Sequence, residues 1–355
     1  MVYKLFSCCI PVKGYRRSIV VDTQRSDYFI IPNGLCDILV DYGYYSPKEI
    51  INEVGLEFVD IIEEYFDYLN RNDLIFECEF KEINRFPKID LGWEEPHYVI
   101  NSIIDINERS QHDFEKIFAQ LNELMCKHIE IRFFTQTTTN YLSKILEYTN
   151  NRCFHSIDII LPYNSNVSCD DLKSLFVTYQ RVTNIVIYNS PDNRIVNNIS
   201  ECNDRIYFNN KEIKDSMECG VIKPSSFTMD LNSFCEAQSY NSCLNRKICI
   251  DTYGDIKNCP SMTESYGNIG NTSLQNVVSQ KRFQSLWNIS KDKIDVCKHC
   301  EYRYICSDCR AYLKESNNIF SQPAKCTYNP YIAKWQGQEG YLSVEEWIAS
   351  NENFD

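Results

Sequence analysis

The sequence predicts a mixed α/β chain in three parts, and three observations predict it. A set of short strands and three helical patterns comes first, a strand–helix alternation runs through residues 98–188, and eight spaced cysteines follow between Cys243 and Cys326. The boundaries read as a first unit at 1–80, a linker at 81–96, an α/β region at 97–235, a cysteine-rich region at 236–331 and a terminal helix within 332–355.

In the first unit, Arg17–Thr23 and Asp27–Ile31 alternate or run apolar like two strands, separated by the polar turn Gln24-Arg25-Ser26. One helical pattern covers Leu35–Val40 and stops at Gly43. A second opens on Ser46-Pro47-Lys48-Glu49, an N-cap serine with proline at the first helical position. A third spans Glu57–Leu69 and sets Phe58, Ile61, Ile62, Tyr65 and Leu69 on one face, with Glu63 and Glu64 solvated. A closing strand, Leu74–Phe80, completes a winged-helix-like unit in which Cys36 and Cys78 read as buried structural thiols.

Pro87, Gly92 and Pro96 mark the linker. Beyond it, strands are expected at Tyr98–Ile106, His128–Phe134, Ser156–Leu161 and Thr183–Tyr188, with helices at Asp113–Cys126, Tyr141–Thr149 and Asp170–Tyr179. That alternation predicts a parallel sheet with right-handed crossovers, open or curved into a partial barrel. Further strands are expected near Arg205–Phe208 and Phe227–Leu231. No glycine stands between Gly92 and Gly220, so the region holds no phosphate-cradling or dinucleotide loop.

A formal net charge of −13 argues against general nucleic-acid binding, which needs clustered Lys and Arg. No apolar run reaches the roughly 20 residues of a membrane helix, and Met1–Val12 lacks the features of a secretory signal, so a cytoplasmic protein is expected. Eighteen cysteines in a reducing compartment point to metal rather than disulfides, and eleven of them lie at or beyond Cys202.

The tight core of that set is Cys297-x2-Cys300-x5-Cys306-x2-Cys309 within CKHCEYRYICSDC, flanked by Cys243, Cys249, Cys259 and Cys326. Two residues between thiolates let a turn aim both sulfurs at one centre, and eight cysteines complete two four-cysteine sites. Ligand softness favours 4Fe–4S clusters, while two structural zinc sites accept the same ligands. His299 is expected to be exposed rather than a ligand, and Cys202, Cys219 and Cys235 to be buried thiols, with Cys235 as a spare ligand. Asp308 and Arg310, flanking Cys309, either tune a cluster or form a surface ion pair. Ser343-Val344-Glu345-Glu346 opens the terminal helix as a capping box. No residue stands out as catalytic.

These spacings, with Gly254-x4-Cys259 and the trailing Cys326, closely resemble the SPASM domain, the auxiliary-cluster domain of many radical S-adenosylmethionine peptide-modifying enzymes. Here two residues rather than three separate Cys306 and Cys309. The resemblance implies one 4Fe–4S cluster on Cys243, Cys249, Cys259 and Cys309, and another on Cys297, Cys300, Cys306 and Cys326. Full ligation favours electron transfer or structural support over Lewis-acid chemistry. The α/β region resembles a shortened radical S-adenosylmethionine barrel, but its Cys-x3-Cys-x2-Cys motif is missing: after the first strand the chain reads Asn107-Glu108-Arg109-Ser110. No S-adenosylmethionine site and no radical chemistry by this chain alone are therefore expected.

The first unit resembles the precursor recognition element of ribosomal peptide maturation, which binds a leader peptide as an added strand. The residues implied are Asp27, Phe29 and Ile31 on the strand and Phe58, Ile62 and Tyr65 on the third helix. Together the features resemble the SPASM-domain peptide maturases of grasp-with-spasm systems, which implies a precursor peptide and a partner ATP-grasp ligase. An electron-transfer protein and a zinc-stabilised interaction scaffold are the alternatives.

Overall fold

Hairpin chemistry organises the start of the chain in the computed structural model, which describes residues 1–42, 44–197 and 205–351. Asp22 accepts hydrogen bonds from the backbone N–H groups of Gln24 and Arg25 and pairs with the Arg25 guanidinium, closing the turn between two strands. The strands are β1 (Val2–Leu5), β2 (Cys9–Val12), β3 (Ser18–Asp22), β4 (Asp27–Ile31) and β5 (Ile75–Cys78). β1 pairs antiparallel with β5, and β2, β3 and β4 form an antiparallel sheet with β3 in the centre. Between them lie α1 (Asn33–Asp41), α2 (Pro47–Val54) and α3 (Val59–Arg71). Ser46 caps α2 with Pro47 at its first position, as the sequence predicts.

The inward face of α3 is Ile62, Phe66 and Leu69, at helical spacing, whereas Phe58 and Ile61, expected inside, are exposed. Phe58 precedes α3 in a 3-10 turn, and Ile61 is rotated off the row of Ile62, Phe66 and Leu69. Cys36 and Cys78 are buried. Gly43, the expected stop of α1, and Cys202 lie outside the described residues.

A second architecture begins at β6 (Asn101–Ile106) and continues through α4 (Phe114–Glu123), β7 (His128–Phe133), α5 (Thr139–Glu147), β8 (Ser156–Pro162), α6 (Cys169–Thr178) and β9 (Val182–Tyr188). Side-chain caps start each helix: Asp113, Thr138 and, in a full capping box with Asp171, Ser168. β10 (Arg194–Asn197) and β11 (Arg205–Phe208) extend one edge of the sheet. The expected strand at Phe227–Leu231 does not form. Pro224–Ser226 is a 3-10 turn, Asp230 caps α7 (Leu231–Ser239), and Phe227 and Met229 pack into an apolar core instead.

β12 (Lys247–Ile250) pairs parallel with β6, and β13 (Ile256–Lys257) pairs antiparallel with β12. The result is an eight-stranded, mostly parallel sheet ordered β10-β11-β9-β8-β7-β6-β12-β13. α8 (Leu274–Val278) and α9 (Lys281–Gln284) follow, then β14 (Tyr328–Asn329), β15 (Lys334–Trp335) and α10 (Val344–Ser350), which opens on the capping box of Ser343 and Glu346. Among the described residues no helix is long and apolar enough to cross a membrane.

The chain forms two compact units. One comprises residues 1–93, 222–242 and 289–355, and the other 94–221 and 243–288. Inside the first, β3 is buried on both faces, because Val20 packs on the three helices while Ile19 and Val21 pack on the cysteine-rich segment around Tyr302, Ile305 and Cys306. Inside the second, one sheet face is apolar and covered by helices, with Ile104, Ile131, Ile159 and Ile185 against Phe118, Leu142 and Phe176. The alternate residues of β6 to β9 mix polar groups, Asp105, His128, Glu130, Arg132, Asp158 and Asn184, with Ile103, Ile160 and Val186.

Candidate functional site

The cysteine-rich segment is shared between the units. Cys297, Cys300, Cys306, Cys309 and Cys326 belong to the first, and Cys243, Cys249 and Cys259 to the second.

In the first unit a 3-10 turn at Cys297–His299 is closed by Cys300 N–H donating to the Cys297 carbonyl at 2.9 Å, and both cysteines line one cavity. Val296, just before the turn, holds φ at 66°, a left-handed conformation that a β-branched residue rarely adopts. Cys297, Cys300, Cys306 and Cys326 together line a narrow cavity walled by Tyr302, Tyr328 and Trp335. Burial pushes the Cys297 thiol up to about 12 and raises Cys300 and Cys306 as well. Lys291 is buried in the same wall, its Nζ 3.2 Å from Cys306 Sγ. Burial opposes that ammonium, but Cys306, Cys297 and Asp308 outweigh it and raise its pKa.

Around the cavity, buried Glu301 accepts from Arg17 Nε at 2.8 Å and from the Tyr328 hydroxyl, while Arg17 Nη2 donates to the Tyr302 hydroxyl at 2.7 Å. Asp308 and Arg310 form a buried ion pair at 2.7 Å, not a surface one. Asn241 donates to the carboxylate, and the guanidinium donates to the Ile319 and Ser321 carbonyls. His299 is half-buried, edge-on to Tyr15.

In the second unit the β12–β13 hairpin carries Cys249 and leads into Cys259. Its turn needs Gly254, where φ is 85° and a Cβ would meet Asn268 and Ile269 at 3.2–3.3 Å. The Cys249 thiol donates to the Asn258 carbonyl at 3.4 Å, and Lys247 Nζ lies 3.5 Å from Cys243 Sγ. Cys219, expected to be a buried thiol, is exposed and hydrogen-bonds the Cys259 thiol. Nothing local in the sequence announces that approach across forty residues. Cys235 is buried as expected.

A single zinc ion with Zn–S bonds of about 2.3 Å holds its sulfurs about 3.8 Å apart, whereas a four-iron cluster spreads its cysteines more widely. Among the described residues, no three of Cys297, Cys300, Cys306 and Cys326 have sulfurs within 4.8 Å of one another, nor do Cys243, Cys249 and Cys259. The all-thiol donor set around the cavity fits a 4Fe–4S cluster, and structural zinc accepts the same ligands. Cys8, Cys9 and Asp22 do meet that spacing, but Asp22 is already engaged by Arg25 and two backbone N–H groups.

β4 is an edge strand, and α3 lies along it: the Tyr68 hydroxyl donates to the Ile30 carbonyl at 3.2 Å. Phe58, just before α3, and Ile61, Tyr65 and Tyr68 on it form an exposed to half-buried stripe on the side of Asp27 and Phe29 of β4, while exposed Ile30 shares the opposite strand face with Tyr28. Ile31 and Ile62, named from the sequence with Asp27, Phe29, Phe58 and Tyr65, are instead buried in the core beneath. Ile61, Tyr68 and Ile30 were not named, although the 58-61-65-68 spacing is legible.

The polar groups on the other face of the large sheet were also missed. Arg132 donates twice to Asp105, at 2.7 and 2.8 Å, and Thr183 and Asn184 donate to Asp158. Burial pushes the Glu130 and Asp105 carboxyls up. The alternation His128-Ile-Glu130-Ile-Arg132-Phe carries that signal, since fully covered parallel strands are apolar throughout.

No protein-family model matches the chain, and no curated protein matches it. Among solved structures, the chain is similar to Streptococcus suis SuiB bound to precursor peptide SuiA, with 10% identity over 90% of this chain and 98% of that one, at a TM-score of 0.32.

Proposed function

We propose that this chain is an iron–sulfur protein of ribosomal peptide maturation, which takes a precursor peptide as an added strand on β4 and acts with a partner ATP-grasp ligase. The observation that carries the reading is the shared wall within the first unit. Tyr28 of edge strand β4 packs on Tyr302, which itself lines the four-cysteine cavity. The free edge strand β4 and the four-cysteine cavity thus share one apolar core.

In this reading the peptide pairs with the free edge of β4 and lays apolar side chains on Phe58, Ile61 and Tyr65. Cys297, Cys300, Cys306 and Cys326 hold one 4Fe–4S cluster, and Cys243, Cys249, Cys259 and Cys309 the other. When bound, such clusters supply one-electron storage and transfer. SPASM spacing supports both assignments, and the winged-helix-like order of α1 to α3 beside β4 supports the peptide site.

The test is anaerobic purification followed by iron, sulfide and zinc analysis, with titration of the short peptide encoded at the same locus. About eight irons and eight sulfides per chain are expected, with saturable peptide binding. Stoichiometric zinc in place of iron would establish the scaffold alternative, and absence of peptide binding would remove the maturation reading.

A further inference from the structure

Two lysines, one in each unit, direct their ammonium groups at cysteine sulfurs, Lys291 from a buried position and Lys247 from a half-buried one. Lysine is almost never fully buried unless paired, and the usual partner is a carboxylate. Lys291 is 5% exposed, yet its ammonium donates to a sulfur, Cys306 Sγ at 3.2 Å. Asp308, the carboxylate nearest in effect, is committed to Arg310 and Asn241. Lys247, on β12, directs its ammonium to Cys243 Sγ at 3.5 Å, with Glu130 of β7 facing it only at longer range. The two lysines belong to different units and different cysteine groups, so the arrangement arises twice independently.

We propose that Lys247 and Lys291 are positioning residues for the two clusters, each donating an N–H···S hydrogen bond to one ligand sulfur and raising that cluster's reduction potential. The inference rests on the iron–sulfur reading above. A cluster held by four thiolates is anionic and gains a further negative charge on one-electron reduction. A fixed ammonium against a ligand sulfur stabilises the reduced form more than the oxidised one, and hydrogen bonds to ligand sulfurs shift potentials in the same direction. The lysine gives up no proton and no electron in this role. It changes only the energy difference between the two oxidation states.

The experiment is a redox titration, followed by electron paramagnetic resonance, of the full chain purified anaerobically, with iron counted in every sample. Lys291→Met should move one reduction step to more negative potential and leave the other in place, and Lys247→Met should do the converse. A tenfold loss in the reduction equilibrium reads as about 59 mV for a one-electron couple. Lys→Arg at either position should restore most of the shift, because the charge and donor remain.

Full iron with both potentials unmoved in the Met variants overturns the proposal. If a Met variant loses iron, Lys→Gln, which keeps an N–H donor without the charge, is read for the ammonium's share: a shift to more negative potential supports it, and an unmoved potential overturns the role of the charge. Iron lost from Met and Gln but kept in Arg supports the role of the charge, while iron lost from all three shows a packing role and overturns it. Wild-type protein carrying zinc and no iron is a separate result, which removes the iron–sulfur reading itself.

Discussion

Tyr28 on β4 packs edge-on against Tyr302, with ring centroids 5.4 Å apart and planes at 79°. Tyr302 in turn packs on Tyr328 at 5.2 Å, and both rings line the cavity of Cys297, Cys300, Cys306 and Cys326. The strand proposed to receive a peptide is therefore braced from below by the wall of the proposed metal site. Such aromatic pairs contribute about 0.5–1.5 kcal/mol beyond the area they bury.

Tyr28→Ala should weaken both peptide affinity and iron retention, whereas Ile30→Ala, at an exposed position of the same strand, should weaken peptide affinity alone. Calorimetric titration on iron-loaded and iron-depleted protein reads the coupling. Equal peptide affinity in the two forms would show that the wall does not brace the strand.

The two stripes of α3 should separate binding from stability. Ile61→Ala and Phe58→Ala, at exposed positions, should change the melting temperature little and reduce peptide affinity. Ile62→Ala, 3% exposed in the core of the first unit, should cost about 2–5 kcal/mol of stability. Peptide binding left intact by the double variant of Phe58 and Ile61 would move the peptide site off this helix.

Asp22 carries a pH dependence with a definite sign. Burial opposes its charge, but the backbone N–H and guanidinium of Arg25, with the N–H of Gln24, hold the carboxyl below the usual carboxylate range. A depressed folded pKa stabilises the fold above the unfolded value, about 3.9, and that stabilisation is lost as pH falls through the folded value. Asp22→Asn should cost about 1–3 kcal/mol at pH 7. Urea unfolding at pH 7 and pH 3 should show the gap to wild type narrowing at the lower pH.

The buried pair of Asp308 and Arg310 predicts an asymmetry. Arg310→Met strands a carboxylate that is about fully buried and should cost about 3–5 kcal/mol. Pairing that change with Asp308→Leu should recover much of the loss, because no charge is then left unpaired. Thermal unfolding of the single and double variants checks it, and equal losses in both would show that packing rather than charge sets the cost.

The sequence by itself determined the elements whose cause is local. The caps at Ser46 and Ser343, the period of β6 to β9 and α4 to α6 and the eight cysteine spacings all act within a few residues, so pattern reasoning reaches them. Tertiary structure decided everything that depends on which distant segment a short apolar run meets. Lys247–Ile250 is four residues long, and only its parallel register with Asn101–Ile104 makes it part of the large sheet. The same long-range packing put Ile19 and Val21 against Tyr302 and Ile305, buried Asp308 with Arg310, and brought Cys219 to Cys259. It also set the ammonium groups of Lys247 and Lys291 against cysteine sulfurs. Burial and strand pairing are properties of the whole chain, and no window of sequence contains both partners of such a contact.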